Sequence, residues 1–310
     1  MTLTELKYIV AVAREKHFGR AAEACFVSQP TLSVAIKKLE EELDVKLFER
    51  GTSEVSVTPL GGDIVRQAQA VIEQAAAIKE IAKRGKDPVS GPLRLGIIYT
   101  IGPYLLPDLV RQAIARVPQM PLMLQENFTA KLLDTLRTGE LDCAIMAEPF
   151  PDTGLAVAPL YDEPFVAAVH KDHPLARRKS VSAEELKNET MLMLGTGHCF
   201  RDHVLEVCPE YARLTSGAEG GIRKSFEGSS LETIKYMVAS GMGMTVVPRL
   251  SVPDTPQTPA RVKYIKFSPP VPSRRVVLVW RRTFTRYEAI AALRNCIYAC
   301  ELPGVKRLTA

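Results

Sequence analysis

Arg20-Ala-Ala-Glu-Ala-Cys-Phe-Val-Ser-Gln-Pro-Thr-Leu-Ser-Val-Ala-Ile-Lys-Lys-Leu-Glu-Glu-Glu-Leu43 is the stretch that decides the fold of the N-terminus. Arg20–Cys25 is short and alanine-rich, a composition that predicts a compact helix. Ser28 offers an N-cap oxygen and Pro30 is tolerated in a first turn, so a second helix opens there and runs to about Leu43. Along it Leu32, Ile36, Leu39 and Leu43 recur at steps of four, three and four, which makes one buried stripe. Gln29, Thr31, Ser33, Lys37 and Lys38 fall off that stripe and face outward. Two helices joined by the tight Phe26-Val27 turn, the second polar on its outer face, form a helix-turn-helix.

Upstream, Thr4-Glu-Leu6 opens a helix with apolar positions Leu6, Ile9, Val10, Val12 and Ala13, ending near Lys16. Downstream, Lys46–Arg50 and Glu54–Thr58 predict two strands around Gly51-Thr52-Ser53, a wing. Thr58-Pro59 then starts a long helix. Its apolar positions Leu60, Ile64, Ala68, Val71, Ala75, Ile78 and Ala82 ask for a partner, either a second copy of the chain or the chain's own body. Arg84–Pro92 is rich in glycine and proline and reads as a linker.

Beyond it strands and helices alternate, which predicts a parallel sheet with helices on its faces. The strands are Leu93–Ile98, Leu122–Gln125, Leu141–Met146, Phe165–Val169, Met191–Leu194, Met244–Val247, Val262–Phe267 and Val276–Trp280. The helices are Pro103–Arg116, Ala130–Arg137, one near Ala183–Lys187, Phe200–Val207, Leu231–Ala239 with a Ser229/Glu232 capping box, and Tyr287–Cys300. Two α/β lobes with chain returns between them leave a ligand cleft at their interface. The expected organisation is a winged helix-turn-helix over residues 1–58, a linker or dimerisation helix over 59–86, and a two-lobed α/β regulatory domain over 87–310.

The totals exclude more than they assign. The net charge of +5 comes from 40 basic against 35 acidic side chains, and residues 1–86 hold 13 basic and 12 acidic, so any DNA-binding field comes from clustering. No apolar run reaches the roughly 20 residues of a membrane span and the start lacks a signal-peptide profile, so a cytoplasmic protein is expected. Six cysteines in such a chain point to redox, catalytic or metal chemistry rather than a disulfide framework. No Walker A, three-glycine dinucleotide loop, His-Glu-x-x-His or Gly-x-Ser-x-Gly is present, and neither enzyme activity nor a cofactor is expected.

Phe18-Gly-Arg-Ala-Ala-Glu23, Val27-Ser-Gln-Pro-Thr-Leu-Ser33, Ile36-Lys-Lys-Leu-Glu-Glu-Glu-Leu43, Leu47-Phe-Glu-Arg50 and Thr58-Pro-Leu-Gly61 together resemble the LysR-type transcriptional regulators. The remainder fits that family's effector domain, which is similar to periplasmic binding proteins. The chain departs from many members, which carry Arg or Gln at one or both of the positions held here by Val34 and Ala35, and Gly at the position of Asp44. The resemblance implies a homodimer or homotetramer on double-stranded DNA with an interrupted inverted repeat, RNA polymerase as a partner, and no membrane. Gln29, Thr31, Ser33 and Lys37 are the candidate groove-facing residues, Ser28 and Pro30 at the helix start belong to the same DNA-binding set, and Lys38, Lys46 and Arg50 are the candidate phosphate contacts.

Within the family, Gly197-His-Cys199-Phe-Arg-Asp202 followed by Cys208 resembles the hydrogen-peroxide-sensing members. Supporting matches are Gly91-Pro-Leu93, Gly102–Pro107, Leu141-Asp-Cys143, Asp162-Glu-Pro164 and Ser230-Leu-Glu-Thr233. Peroxide is attacked by thiolate, so Cys199 should have a lowered pKa and solvent access, with the helix N-terminus, His198 and Arg201 assisting and Asp202 opposing unless it shuttles a proton. Thr100 and Thr129 lie at carboxyl ends of parallel strands and either face the peroxide or cap helices. The resemblance implies a Cys199–Cys208 disulfide, reset by thioredoxin or glutaredoxin. Nine helical residues span roughly 13 Å, whereas a disulfide needs Cα atoms within about 7 Å, so that bond requires Phe200–Val207 to unwind. Cys25, Cys143, Cys296 and Cys300 read as structural. Three rivals remain: a family member that senses a metabolite in the cleft, a metal sensor using Cys199, His203 and Cys208 with His198, and a peroxidase turning over at Cys199, against which the complete DNA-binding module argues.

Overall fold

In the structure, a computed structural model that describes residues 1–50, 55–83, 89–151, 154–211, 226–228, 230–253 and 261–308, the N-terminal elements follow from their caps. Helix α1 (Leu3–Glu15) opens on a Thr2/Glu5 capping box, the Thr2 hydroxyl accepting from the Glu5 N–H at 3.2 Å. Helix α2 (Phe18–Ala24) starts earlier than the alanine pattern suggests, because His17 Nδ1 accepts from the Gly19 and Arg20 N–H groups. Helix α3 (Gln29–Leu43) has Ser28 as N-cap, with Pro30 in its first turn. Its Leu32, Ile36 and Leu39 are buried against Ile9, Val12, Ala21 and Leu47. Asp44 ends it at φ 52°, a left-handed conformation that a short polar side chain tolerates.

Strands β1 (Phe48–Arg50) and β2 (Val55–Val57) pair antiparallel as the wing; its Gly51–Ser53 turn lies outside the described residues. Helix α4 (Pro59–Lys83) packs one face on α1, with Ile64, Ala68 and Ile72 in that core. Leu60, Val71 and Ile78 of the expected stripe stay exposed. The Ala82 side chain and residues 84–88 of the expected linker lie outside the described set.

The first lobe is built on β3 (Leu93–Ile98), α5 (Gly102–Arg116), β4 (Leu122–Asn127), α6 (Thr129–Arg137) and β5 (Cys143–Ala147), with β4, β3 and β5 parallel in that order. Here the expectation of a parallel sheet needs correcting. Strand β6 (Leu155–His170) carries the chain into the second lobe and β12 (Ser273–Arg281) brings it back, so β12 runs antiparallel to both β5 and β6. The result is a mixed sheet. The first half of β6 was illegible because Pro159, Asp162, Glu163 and Pro164 interrupt its apolar pattern.

The second lobe holds β7 (Ser180–Val181), β8 (Leu192–Leu194), α7 (Cys199–Val207), β9 (Phe226–Gly228), α8 (Leu231–Ala239), β10 (Thr245–Pro248) and β11 (Val262–Phe267). Strands β10 and β11 flank the second half of β6, antiparallel to it. The helix expected near Ala183–Lys187 is a 3₁₀ turn over Glu184–Leu186. Ser230, rather than Ser229, caps α8, its hydroxyl accepting from the Thr233 N–H at 3.1 Å. Glu232 completes no capping box; it accepts from the Tyr104 hydroxyl at 2.6 Å and pairs with Lys235. Helix α9 (Tyr287–Tyr298) and the short β13 (Lys306–Arg307) close the chain back on the first lobe.

Each lobe has its own core, one around Leu95, Ile97, Ile145 and Leu278, the other around Phe165, Leu192, Phe200 and Val246. Each such fully buried side chain contributes about 1.5–3 kcal/mol. Among the described residues no helix is long and apolar enough to cross a membrane.

Candidate functional site

The ends of β3 and β4 in the first lobe meet the N-terminus of α7 from the second. Cys199 is the first residue of α7, and His198 is its N-cap. A cavity of about 10 Å³, roughly one water-sized sphere, lies there, lined by Thr100, Thr129, His198 and Cys199 among others. Those four residues, singled out in the sequence, are thus brought together. Arg201 and Asp202 are not part of the lining: Arg201 is buried and donates to the Leu194 carbonyl at 3.0 Å, and Asp202 is exposed.

Neither threonine is a helix cap. Ile101 and Phe128 occupy the N-cap positions of α5 and α6, and Thr129 is already inside the first turn. Among the described residues the buried Thr129 hydroxyl has no hydrogen-bond partner, and its polarity lowers the pKa of the neighbouring Cys199 thiol. The Thr100 hydroxyl and carbonyl instead accept from Arg274, at 2.7 and 3.0 Å.

Arg274 is the functional residue that the sequence reading missed. It sits on β12 directly opposite Glu163 of β6, and the two form an ion pair at 2.8 Å with side chains only 1% and 0% exposed. Glu163 also accepts from the Leu250 N–H at 2.8 Å, and the guanidinium lies 5.3 Å from the Phe200 ring centre. A charged side chain this deep survives only when paired and hydrogen-bonded. Its signal was available: Arg274-Arg275 opens a run of apolar strand residues, and an arginine in such a strand needs a buried acid.

The electrostatics correct one expectation. Burial raises the Cys199 pKa above the ordinary thiol value; the Thr129 hydroxyl, Arg274 and the thiol's own backbone N–H pull it down without cancelling that cost, and Asp202 adds to it. Arg274 is a cation that lowers the thiol's pKa. Cys208, fully buried as the C-cap of α7, is pushed up to about 11 by burial and by Glu210. Both cysteines are free thiols at opposite ends of an intact helix. Cys143 is buried in β5, Cys296 and Cys300 are buried at the end of α9, and Cys25 is half-buried behind α2.

His203 faces the first lobe rather than a metal. Its Nε2 is 2.7 Å from the Glu148 carbonyl oxygen and donates to it, and its buried Nδ1 has no partner among the described residues. Burial depresses its pKa, so the ring is neutral. Among the described residues no three His, Cys, Asp or Glu side chains converge as a metal site would require.

On the N-terminal domain, Ser28, Gln29, Pro30, Thr31, Lys37 and Lys38 are exposed and Ser33 is half-buried. The Ser28 hydroxyl is engaged by its capping bond and by Thr31 Oγ1 at 2.8 Å. Lys37 pairs loosely with Glu41 and Lys46 with Glu40, all near the surface except Glu40. Val34 is 68% exposed on the same helix face region, an apolar group the outward-facing set had left out. Nothing is described of the Arg50 side chain beyond its place on β1.

Comparison with known proteins identifies the family. Residues 3–62 match the bacterial regulatory helix-turn-helix family of lysR type, and residues 86–299 match the LysR substrate binding domain. The hydrogen peroxide-inducible genes activator of Pectobacterium carotovorum is 40% identical over 294 residues, covering 94% of this chain and 95% of that protein. A full-length OxyR of Pseudomonas aeruginosa carrying a Cys-to-Asp substitution superposes with TM-score 0.78 at 50% identity, over 97% of this chain and 99% of that one. A Cys-to-Ser mutant of Corynebacterium glutamicum OxyR with hydrogen peroxide bound gives 0.62 at 33% identity, over 96% and 93%. The chain belongs to the LysR family of bacterial helix-turn-helix regulators, among the hydrogen peroxide-inducible genes activators that include OxyR.

Proposed function

We propose that this protein is a DNA-binding transcription activator that senses hydrogen peroxide through Cys199 and stores the signal as a Cys199–Cys208 disulfide. The carrying observation is the placement of Cys199: a thiol at a water-sized cavity, flanked by the Thr129 hydroxyl and within the field of Arg274, at one end of the helix that carries Cys208 at its other end.

In the first step the Cys199 thiolate attacks one peroxide oxygen. The O–O bond breaks, sulfur is oxidised to sulfenic acid, and the departing hydroxide takes a proton to become water. Thr100 and Thr129 hold the peroxide and His198 closes the cavity beside it. Exposed Asp202 exchanges the proton with solvent; Arg201 acts indirectly, by fixing the turn before Cys199 through Leu194. In the second step the Cys208 sulfur attacks the sulfenic sulfur, the S–S bond forms, and water leaves. Cys199 and Cys208 stand roughly 13 Å apart along α7, so the helix unwinds and Cys208 leaves the second core. That repacking is the switch.

The output end is a winged helix-turn-helix over residues 1–58 with α3 in the major groove, Gln29, Thr31, Ser33 and Lys37 at base edges, Ser28 and Pro30 setting the helix start, and Lys38, Lys46 and Arg50 at phosphates. The exposed Leu60, Val71 and Ile78 of the linker helix, residues 59–86, meet the same face of a second copy, giving a homodimer or homotetramer on an interrupted inverted repeat. The regulatory domain, residues 87–310, then signals to RNA polymerase, and thioredoxin or glutaredoxin resets the disulfide in the cytoplasm. The protein acts as a switch rather than an enzyme. A metabolite effector fits the site poorly, since a cavity of about 10 Å³ has no room for an organic acid.

The test is thiol mapping by mass spectrometry before and after one equivalent of hydrogen peroxide, with operator footprinting alongside. A Cys199–Cys208 disulfide together with a changed footprint is the expected result. A Cys208→Ser protein that still switched fully through a persistent sulfenic acid would refute the disulfide step, and an inert Cys199 would refute peroxide sensing.

A further inference from the structure

We propose that Tyr99, Phe128 and His198 form an aromatic lid that makes the Cys199 site a size filter, admitting hydrogen peroxide and excluding alkyl hydroperoxides. This deepens the peroxide-sensing reading and rests on it.

Three rings from three segments meet at the cavity that Cys199 lines. Tyr99 follows β3, Phe128 is the N-cap residue of α6, and His198 is the N-cap of α7. Every pair is edge-to-face: Tyr99 and Phe128 at 5.2 Å, Tyr99 and His198 at 5.8 Å, Phe128 and His198 at 4.7 Å between ring centres. All three line the small cavity that Cys199 also lines. Tyr99 and Phe128 are 39% and 37% exposed, so the lid has solvent on its outer side. Two large exposed aromatics with no place in either lobe core call for an explanation.

The backbone is shaped to let the lid close. Gly197 has φ +97°, a region that side chains rarely adopt, and a Cβ there would stand 3.3 Å from the Phe128 ring. The glycine lets Phe128 approach the Cys199 turn closely.

The dimensions set the filter. The space beside the thiol is about 10 Å³, near the minimum for one water. Hydrogen peroxide, with two heavy atoms and polar at both ends, enters with a small movement of the rings. An alkyl hydroperoxide must bring its carbon substituent past them, because the substituent sits on the leaving oxygen, opposite the attacking sulfur. The redox step is otherwise the same: the thiolate takes the terminal oxygen, the O–O bond breaks, and the alkoxide takes a proton to leave as the alcohol. The same enclosure desolvates the thiol, so the protein accepts a less ionised cysteine in exchange for selectivity.

The test compares second-order oxidation rates of Cys199 in the reduced full-length protein by hydrogen peroxide and tert-butyl hydroperoxide, read by thiol mapping. Parent, Tyr99→Ala, Phe128→Ala and Phe128→Tyr proteins are used, together with alkylation by iodoacetamide and by a bulky N-aryl iodoacetamide. Phe128→Ala and Tyr99→Ala should raise the tert-butyl to hydrogen peroxide rate ratio at least tenfold, and Phe128→Tyr should keep the parent ratio. The small-to-bulky alkylation ratio should move in parallel. Ratios within twofold of parent for both reagent pairs would overturn the lid. A parent protein that alkylates with strong size preference but ignores peroxide would overturn the sensing reading while leaving the filter standing. Should an alanine variant fold poorly, the parent alone decides: rates that stay level from hydrogen peroxide through ethyl to tert-butyl hydroperoxide contradict the proposal.

Discussion

Replacing Arg274 with methionine separates two roles that one side chain holds. The guanidinium pairs with Glu163 at 2.8 Å, with both side chains essentially inaccessible, and also donates to the Thr100 hydroxyl and carbonyl. Methionine fills similar volume but leaves the Glu163 carboxylate with the Leu250 N–H as its remaining described partner. Removing one member of a buried pair costs roughly 3–5 kcal/mol, because a charge is stranded rather than because the pair was strongly stabilising. At about 2–4 °C per kcal/mol for a domain of this size, the regulatory domain should melt roughly 6–20 °C lower. Adding Glu163→Gln removes the stranded charge and should restore most of that loss.

Reactivity should behave differently. Arg274 lowers the pKa of the Cys199 thiol from the other side of Thr100, so losing it moves that pKa further up and lowers the thiolate fraction at neutral pH. The double variant, refolded to near-parental stability, should still oxidise slowly. Differential scanning calorimetry of the reduced proteins gives the first quantity and thiol mapping under limiting peroxide gives the second. An Arg274→Met protein melting within 2 °C of the parent would refute the buried-pair argument. A double variant that regained both stability and oxidation rate would show that Arg274 serves the thiol only by holding the fold.

Three further predictions concern the same machinery. Because burial holds the Cys199 pKa above the ordinary thiol value, its oxidation rate should climb about tenfold per pH unit between pH 6 and 8; a plateau below pH 7 would contradict it. His203→Leu breaks the bond to the Glu148 carbonyl, at a cost of about 1–3 kcal/mol, and should speed amide exchange in α7 by about 5- to 150-fold, whereas His203→Gln, which can donate in the same place, should not. The sign of its pH dependence follows from the depressed pKa: the neutral ring stabilises the reduced form above the free-imidazole value of about 6.5, and that stability is lost as pH falls below it. Finally, Glu73 of α4 is held by Arg281 at 2.5 Å and by the Thr283 hydroxyl at 2.8 Å, so Glu73→Ala should make the reduced and oxidised footprints more alike while leaving the Cys199 oxidation rate within twofold. Unchanged footprints would mean that the regulatory domain steers DNA binding by another route.

How much was legible depended on how far apart in the chain the deciding residues stand. The helix-turn-helix could be read because its signals are local: Ser28 caps three residues away, and the Leu32–Leu39 stripe repeats within one helix. The cavity residues were also legible, since Thr100 lies in the turn after β3 while Thr129 and Cys199 begin helices, all places the sequence marks as element boundaries. What failed was non-local. The alternation of strands and helices cannot tell an outgoing strand from a returning one, so the antiparallel β12 passed for another member of a parallel sheet. Likewise Arg201 stands out in the sequence because it is two residues from the thiol, while Arg274, which lowers the thiol's pKa, is 75 positions downstream of Cys199.

Both misreadings have one origin, the register of β12 on β6. That register sets Ser273 opposite Pro164 and Arg274 opposite Glu163, just where β6 stops pairing with β12 and starts pairing with β10 at Phe165. A charged pair is therefore buried at the point where the chain passes between lobes, and its free edge reaches Thr100 at the cavity. Sliding β12 by one residue would turn Arg274 to the opposite face and offer Arg275, which in the actual register pairs with Asp162 at the surface. The antiparallel return that the sequence concealed is thus what delivers the hidden cation. A parallel β12 would run the other way and could not hold Arg274 at the crossing while its apolar run, Val276–Val279, fills the first core. Sheet topology and thiol electrostatics are in this protein a single structural fact, and the peroxide chemistry proposed for Cys199 depends on strand order as much as on the residues around the sulfur.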